Sequence, residues 1–385
     1  MARLLIITAA HGRKEGDKLF LDVKFVEGMS FYCKYWDDEV CCMIPHSDNK
    51  TLFGAMFVAE NLPFTVEFIP SNSEISYEQI APYDVILCDG DSHNYLHIAQ
   101  VVEEKPNKII YVIEYTLNTR IRILLLENKL IFLNKIYSLF WILNQERRRK
   151  KAFKTADGLQ ANGFPAFSRY KSLNRNTLLY LDNRLSHQLL PSESEISTRE
   201  IRINTGQTVR FLVSGRLERM KGAHDIIPFC RFLHDRKVNF SLDIFGGGSL
   251  ENEIKAGIAD FGLQEKVHFH GLVDFETQLV PFAKRESDIF LSLNQQADPS
   301  CTYIESMGCG LPILGYSNEM WRRLLEASNA GWIAPLGDWV ALAQLADKII
   351  GDQDDIIVKS RNAFTYASEH CFENEFNKRI EHLTA

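Results

Sequence analysis

The sequence predicts an α/β protein of two domains built on mostly parallel, doubly wound sheets. Three observations carry that prediction. Short apolar runs of strand length alternate with helical stretches along most of the chain, as in parallel sheets joined by crossover helices. The chain has 385 residues, more than one hydrophobic core usually organises. Midway, the apolar run Val209-Arg210-Phe211-Leu212-Val213 passes through Ser214-Gly215 into a segment with helical spacing at Ile226, Ile227, Phe229, Phe232 and Leu233.

In chain order, Leu4 to Ala9 reads as the first strand, with His11-Gly12 opening the loop after it. Asp17 to Lys34 reads as a helix. Glu39 to Ile44, Thr65 to Ile69, Asp84 to Cys88 and Lys108 to Glu114 read as strands, with Asn94 to Glu103 a helix before the last of these. Asp157 to Asn162 is a late strand before a turn at Gly163-Phe164-Pro165, and Thr177 to Leu181 closes the first half. The polar stretch from Arg184 to Gly206, containing PSESEISTRE, is the linker candidate. The expected division is therefore 1–185 for the N-terminal domain, 186–206 for the linker and 207–370 for the C-terminal domain, with a helical closing segment at 371–385. In the second half, Ser241 to Phe245 and Ile289 to Leu293 are further strands. A helix opens near Cys301 or Thr302 after the polar loop Asn294 to Ser300.

Composition excludes some classes. A net charge of −7 argues against a general nucleic-acid binder. The 45% hydrophobic and 24% charged residues are those of an ordinary globular protein. The eight cysteines include no CxxC pair, which reads as free thiols in a reducing cytoplasm. MARLLIITAAHG reads as a strand rather than a signal peptide, and no apolar run reaches the ~18 residues of a membrane span. One segment is polarised. Thr119 to Lys154 carries ten Lys/Arg and two Glu among many Leu, Ile, Phe, Tyr and Trp residues. It reads either as an interfacial element, with Arg147 to Lys151 meeting anionic lipid headgroups, or as core helices with a solvated basic end.

The chemistry concentrates between Ser214 and Glu305. A glycine turn from strand to helix offers backbone N–H groups to an anion. Arg216 and Lys221 add a planar fork and a point charge for phosphate oxygens. Glu305 offers a carboxylate for ribose hydroxyls. Together these suit a nucleoside diphosphate. Asp89-Gly90-Asp91 has the spacing of a divalent-metal carboxylate pair, but the second half already offers a diphosphate site. Asp89, Asp91 and His93 are therefore read as cleft-lining or turn residues in preference to a metal site, which stays the competing reading.

Four stretches, GRLERMKG, DIFGGGSLENEI, VHFHGLV and SDIFLSLN…DPSCTYIESMGCGLPILGY, occur in this order between Val209 and Asp338. They resemble the donor-binding half of the retaining GT-B glycosyltransferases, the "glycosyl transferases group 1" family. The resemblance implies two Rossmann-like domains facing a cleft and a last helix crossing back to the first domain. It also implies a nucleotide-sugar donor on the second domain, such as a UDP- or GDP-sugar, with no required cofactor or metal. Arg216 and Lys221 match the family's phosphate cations. Gly215, Gly246 and Gly247 match its glycine turns, although a tight turn alone is the competing reading of Gly246 to Gly248. Gly271 and Leu272 lie in the stretch that brackets the nucleobase. Ser300, Cys301 and Thr302 open the helix at the diphosphate, and Glu305 holds the ribose.

The chain also departs from the family. The signature is two glutamates eight positions apart, and the position eight before Glu305 is Ala297. Asp298 either supplies that carboxylate to the donor sugar or is a turn or cap residue before Pro299. On the acceptor side, Glu114 stands where relatives often carry a histidine, and His11, Gly12 and His93 are further candidates. The expectation is a retaining hexosyl-type transferase, cytoplasmic or on the inner face of a membrane, acting on a glycan or lipid-linked acceptor in cell-surface polysaccharide or glycolipid synthesis. The alternative is a non-catalytic nucleotide-sugar-binding subunit with a degenerate site.

Overall fold

Strands buried on both faces read as continuous apolar runs, and parallel sheets are built from such strands. The computed structural model describes residues 2–49, 54–70, 73–126, 131–206, 208–297 and 299–385, and the chain forms two units. The first comprises residues 1–120, 131–180 and 376–385. Its strands are β1 (Leu4–Ile7), β2 (Arg13–Glu15), β3 (Lys18–Asp22), β4 (Val40–Pro45), β5 (Gly54–Val58), β6 (Thr65–Ile69), β7 (Val85–Asp89), β8 (Lys108–Ile113), β9 (Gly158–Asn162) and β10 (Thr177–Tyr180). Seven of them form one sheet in the order β10-β9-β8-β7-β1-β4-β6, every pair parallel. β2, β3 and β5 make a separate antiparallel ribbon.

The second unit comprises residues 181–375 together with a short segment beginning at Ile121. Its strands are β11 (Val209–Ser214), β12 (Phe240–Phe245), β13 (Val267–Gly271), β14 (Ile289–Ser292), β15 (Ile313–Tyr316) and β16 (Gly331–Ala334). All are parallel, in the order β13-β12-β11-β14-β15-β16. From β11 the chain builds outward to β13, then returns to lay β14 on the other side of β11. That reversal is a topological switch point, where a crevice opens beyond the carboxyl ends of the two strands. The core beneath is aromatic and aliphatic; Phe211 on β11 meets Phe229 edge-on with ring centroids 5.8 Å apart.

Several elements differ from the sequence reading. Asp17 to Lys34 is not one helix. Leu19 and Leu21 are buried in alternation along β3. Asp22 then caps a helix over Val23–Tyr35, accepting from the N–H groups of Lys24 and Phe25 at 2.9 and 3.3 Å. The helix expected over Asn94 to Glu103 shrinks to Ile98–Val101. Gly163-Phe164-Pro165 opens a helix, Gly163–Tyr170, instead of making a turn. Pro165 sits in its first turn, where a missing N–H costs nothing.

The polar stretch 186–206 is likewise structured. It contains a helix over Glu193–Asn204 with a capping box between Ser192 and Glu195. Arg199, on that helix, is 1% exposed and donates to the carbonyls of Ser287, Gly310, Ala283, Lys284 and Cys309. Burial among them lowers its pKa to about 10. Residues 376–385 of the last helix, Phe372–Thr384, belong to the first unit. There Arg379 pairs with the Gln160 side chain at 2.9 Å and Phe376 packs on Tyr32. Among the described residues, no helix is long and apolar enough to cross a membrane.

Candidate functional site

At the switch point, glycine turns interlock. The chain leaves β11 through Gly215, with φ 135°. The Gly215 N–H donates to the Phe245 carbonyl at 3.0 Å, and the Leu217 N–H to that of Gly247 at 3.0 Å. Gly246 has φ 126°, and a Cβ there would stand 1.9 Å from the Gly215 carbonyl oxygen. A Cβ on Gly248 would lie 2.6 Å from that of Leu217. The glycine run after β12 is thus required by backbone-to-backbone packing against the turn after β11. Gly247 alone of the three has ordinary space, its nearest neighbours at 3.5 Å. Gly222, at φ 72°, lets the next turn close against Leu293 after β14.

The turns enclose one cavity, lined by Gly215, Arg216, Lys221, Asn294, Ser300 and Thr302 among others. Arg216 is exposed at its rim and Lys221 is half-buried. Ser300 Oγ and Thr302 Oγ1 lie 2.8 Å apart. Five of the sequence-predicted donor residues therefore share one pocket: a glycine backbone, two cations and two hydroxyls. This is the inventory an anionic diphosphate requires. The helix after β11 begins at Ile226, after short 3-10 turns over Arg219–Lys221 and Ala223–Asp225.

Under the polar loop lies a buried network that the sequence reading missed. Asn318 donates to the Asn294 carbonyl at 3.0 Å and to the Tyr303 hydroxyl at 2.9 Å, and the Ser292 hydroxyl donates to Tyr303 at 3.1 Å. Asp225 accepts from the Tyr316 hydroxyl at 2.8 Å and from Gln295 at 3.3 Å. Burial, then Asp225, raises the Tyr316 pKa, so the phenol stays a donor. Such residues look like ordinary polar positions in sequence; only the fold shows that they fix the loop between β14 and the helix Thr302–Gly308.

Glu305, on that helix, is 5% exposed. Its carboxylate is gripped by Arg184 through Nε at 2.8 Å and Nη2 at 3.2 Å, a two-point pair. Arg184 also lies 4.0 Å over the Phe275 ring. Burial works against the charge on Arg184, but Glu305 outweighs it and the pKa is raised. Cys301, beside them, has its pKa raised by burial and then by Glu305, which keeps it a thiol. Gly271 adopts φ 74° at the end of β13, and Leu272 after it is 82% exposed. Asp298 lies outside the described residues.

In the first unit, Asp91 is a structural hub. It accepts from the N–H groups of Glu114 at 2.6 Å and Tyr115 at 3.3 Å, and from Arg120 at 3.1 Å and Arg149 at 2.8 Å. Asp89 closes its own turn through the N–H groups of Asp91 and Ser92; burial, then the charge of Asp91, raises its pKa. Both carboxylates are engaged inside the fold, as turn residues are. The Glu114 carboxylate accepts weakly from Asn162 at 3.4 Å. His93 packs edge-on against Trp141 at 5.2 Å, and burial, then Arg148 and Arg120, lower its pKa. His11 is exposed, whereas Gly12 is buried where a Cβ would stand 2.8 Å from the Phe20 carbonyl.

The basic apolar segment buries one face of a helix and exposes the other. A helix over Phe132–Thr155 buries Ile142, Gln145, Arg149, Ala152 and Phe153 on one side. Arg149 is a correction to the expected headgroup cluster, being 0% exposed. It donates to the Gly90 and Tyr115 carbonyls, Glu146, Tyr170 and Asp91. The opposite stripe, Leu133, Tyr137, Phe140, Asn144, Arg147, Lys151 and Lys154, is exposed. It is apolar in its first half and cationic in its second. Residues 127–130 of the segment lie outside the described residues.

Residues 195–370 match the family described as Glycosyl transferases group 1. The amylovoran biosynthesis glycosyltransferase AmsK of Erwinia amylovora is 31% identical over 197 residues, covering 49% of this chain and 46% of AmsK. The putative colanic acid biosynthesis glycosyltransferase WcaL of Escherichia coli K12 is 28% identical over 178 residues, covering 43% of this chain and 41% of WcaL. The matched region thus spans less than half the length of these curated relatives. Over all of both chains, the structure is similar to Anabaena HepE, solved in complex with UDP, with a TM-score of 0.66 at 17% identity. The fold is GT-B, two Rossmann-like α/β units, and its second unit carries the match to the Glycosyl transferases group 1 family.

Proposed function

We propose that this chain moves a hexose-type sugar from a nucleoside-diphosphate sugar to a glycan or lipid-linked acceptor, with retention of configuration and without a required metal. The observation that carries this reading is the single cavity at the β11/β14 switch point lined by Gly215, Arg216, Lys221, Ser300 and Thr302. When the anomeric C–O bond breaks, negative charge grows on the leaving diphosphate. Arg216, Lys221 and the Gly215 backbone would stabilise that charge in the transition state. Gly246, Gly247, Gly271 and Leu272 would flank the nucleoside. Glu305, oriented by Arg184, would take the ribose hydroxyls, and Asp298 would serve the donor sugar. In the first unit, Glu114 would orient the acceptor hydroxyl, with His11, Gly12 and His93 nearby in the acceptor role. HepE structures with UDP and with UDP-glucose favour a UDP-sugar among the possible donors. The names of AmsK and WcaL favour polysaccharide synthesis as the setting. The exposed apolar and cationic stripe of the Phe132–Thr155 helix would hold the protein at the anionic, cytoplasmic face of a membrane.

The test is thermal unfolding with UDP-, GDP-, ADP- and dTDP-sugars, each with and without EDTA. A ligand that binds only the folded state raises the melting temperature by mass action. A shift with one nucleotide class that is insensitive to EDTA is expected. A shift that requires metal contradicts the metal-independent reading, and no shift with any donor contradicts the donor site.

A further inference from the structure

His187, Cys371 and Glu373 bring an imidazole, a thiol and a carboxylate together from two distant stretches of the second unit. One ligand atom from each lies within 4.8 Å of the other two. His187 Nε2 and Cys371 Sγ are 3.2 Å apart. The backbone N–H of His187 donates to Glu373 at 3.0 Å, which brings the carboxylate to the imidazole. Hydrogen bonds tie the two stretches together. The Phe372 N–H donates to the Leu185 carbonyl at 2.9 Å, and Asn183 donates to the His370 carbonyl at 2.9 Å. Cys371 is fully buried while His187 is exposed, so the cluster has a closed side and a side open to solvent.

These are the N, S and O donors that divalent zinc takes. Bond lengths of about 2.0–2.3 Å in a tetrahedron put neighbouring ligand atoms roughly 3.3–3.5 Å apart. The His187–Cys371 separation is already close to that. The remaining separations lie within 4.8 Å. Neither the sugar-transfer reading nor the family match assigns these residues a role, and none lines the donor cavity.

We infer that His187, Cys371 and Glu373 form a zinc-binding site, with a fourth position open to water on the His187 side. The ion joins the segment by which the chain enters the second unit, after Tyr180, to the segment by which it leaves, before Phe376. It closes the loop containing nearly all of that unit. Zinc takes the Cys371 sulfur as a thiolate, so binding releases the thiol proton to solvent.

The experiment uses the full chain, stripped with a chelator and titrated with Zn²⁺ against a chromophoric competitor. The site predicts uptake of one equivalent by the unmodified protein. Binding weakens at least tenfold in both Cys371→Ser and His187→Gln. Co²⁺ replaces zinc with a thiolate-to-cobalt charge-transfer band that is absent from Cys371→Ser. His187→Gln lies at an exposed position and decides the matter if the serine variant does not fold. No stoichiometric uptake by the unmodified protein, or weakening below tenfold in a folded variant, overturns the site.

Discussion

Arg216 stands in solvent at the rim of the switch-point cavity and Lys221 is half covered, so the two cations would act on different parts of one diphosphate. Replacing either by alanine is expected to lower turnover by about a hundredfold or more, read as kcat/KM for donor-dependent transfer. Near-normal turnover in both variants would remove them from the mechanism. Both were legible in the sequence because a cation beside a strand–glycine–helix turn has few purposes. Arg184 was not, since nothing in a polar stretch marks a guanidinium that will grip Glu305. Arg149 was misread for a related reason: it sits in RRRKK, where its neighbours are solvated, and only the helix phase shows it pointing inward. Arg149→Met leaves Asp91 and Glu146 without their buried partner. It should cost about 3–5 kcal/mol of stability, measured by urea unfolding. A loss near zero would mean the hub is not holding the first unit.

At the scale of elements, the two glycine turns act as one part. Gly246→Ala places a Cβ into the Gly215 carbonyl at a φ of 126°. The strain should cost at least ~1–3 kcal/mol and push the β11 turn out of place. The expected result is a lower melting temperature with donor binding lost as well; unchanged values for both would show that the turns do not support each other. The seven strands of the first parallel sheet were legible because their apolar runs are short and bounded, whereas the ribbon of β2, β3 and β5 was not. The helix over Glu193–Asn204 was not, because its surface is polar and its anchor is the buried Arg199, a residue type that usually signals exposure. The Phe132–Thr155 helix makes its own prediction. The full chain should sediment with vesicles containing anionic lipid, and Tyr137→Ser with Phe140→Ser, or neutralising Arg147 and Lys151, should reduce that several-fold. Equal sedimentation of all variants would contradict a role for this face.

At the scale of the molecule, two parallel sheets with the switch point between β11 and β14 explain why the chemistry sits where it does. The strand order was not readable from the apolar pattern, which gives strands but not neighbours, and the family resemblance implied only two Rossmann-like domains. That resemblance was strongest in the second half, where residues 195–370 match the family. The first half was harder to read, because its candidate residues Glu114, His93 and Gly12 lack a motif and their surroundings depend on contacts distant in sequence. Asp91, which carries a metal-like spacing, proved to be a fold hub. The central claim is that Arg216 and Lys221 hold a sugar-nucleotide diphosphate at the β11 turn. Calorimetric titration of the full chain with UDP-glucose and GDP-mannose tests it most directly, repeated with Arg216→Ala and Lys221→Ala. The account predicts saturable one-to-one binding of one of these donors, weakened at least tenfold in each variant while the fold stays intact. Equal affinity in the folded variants, or no binding of either donor by the unmodified chain, would contradict it.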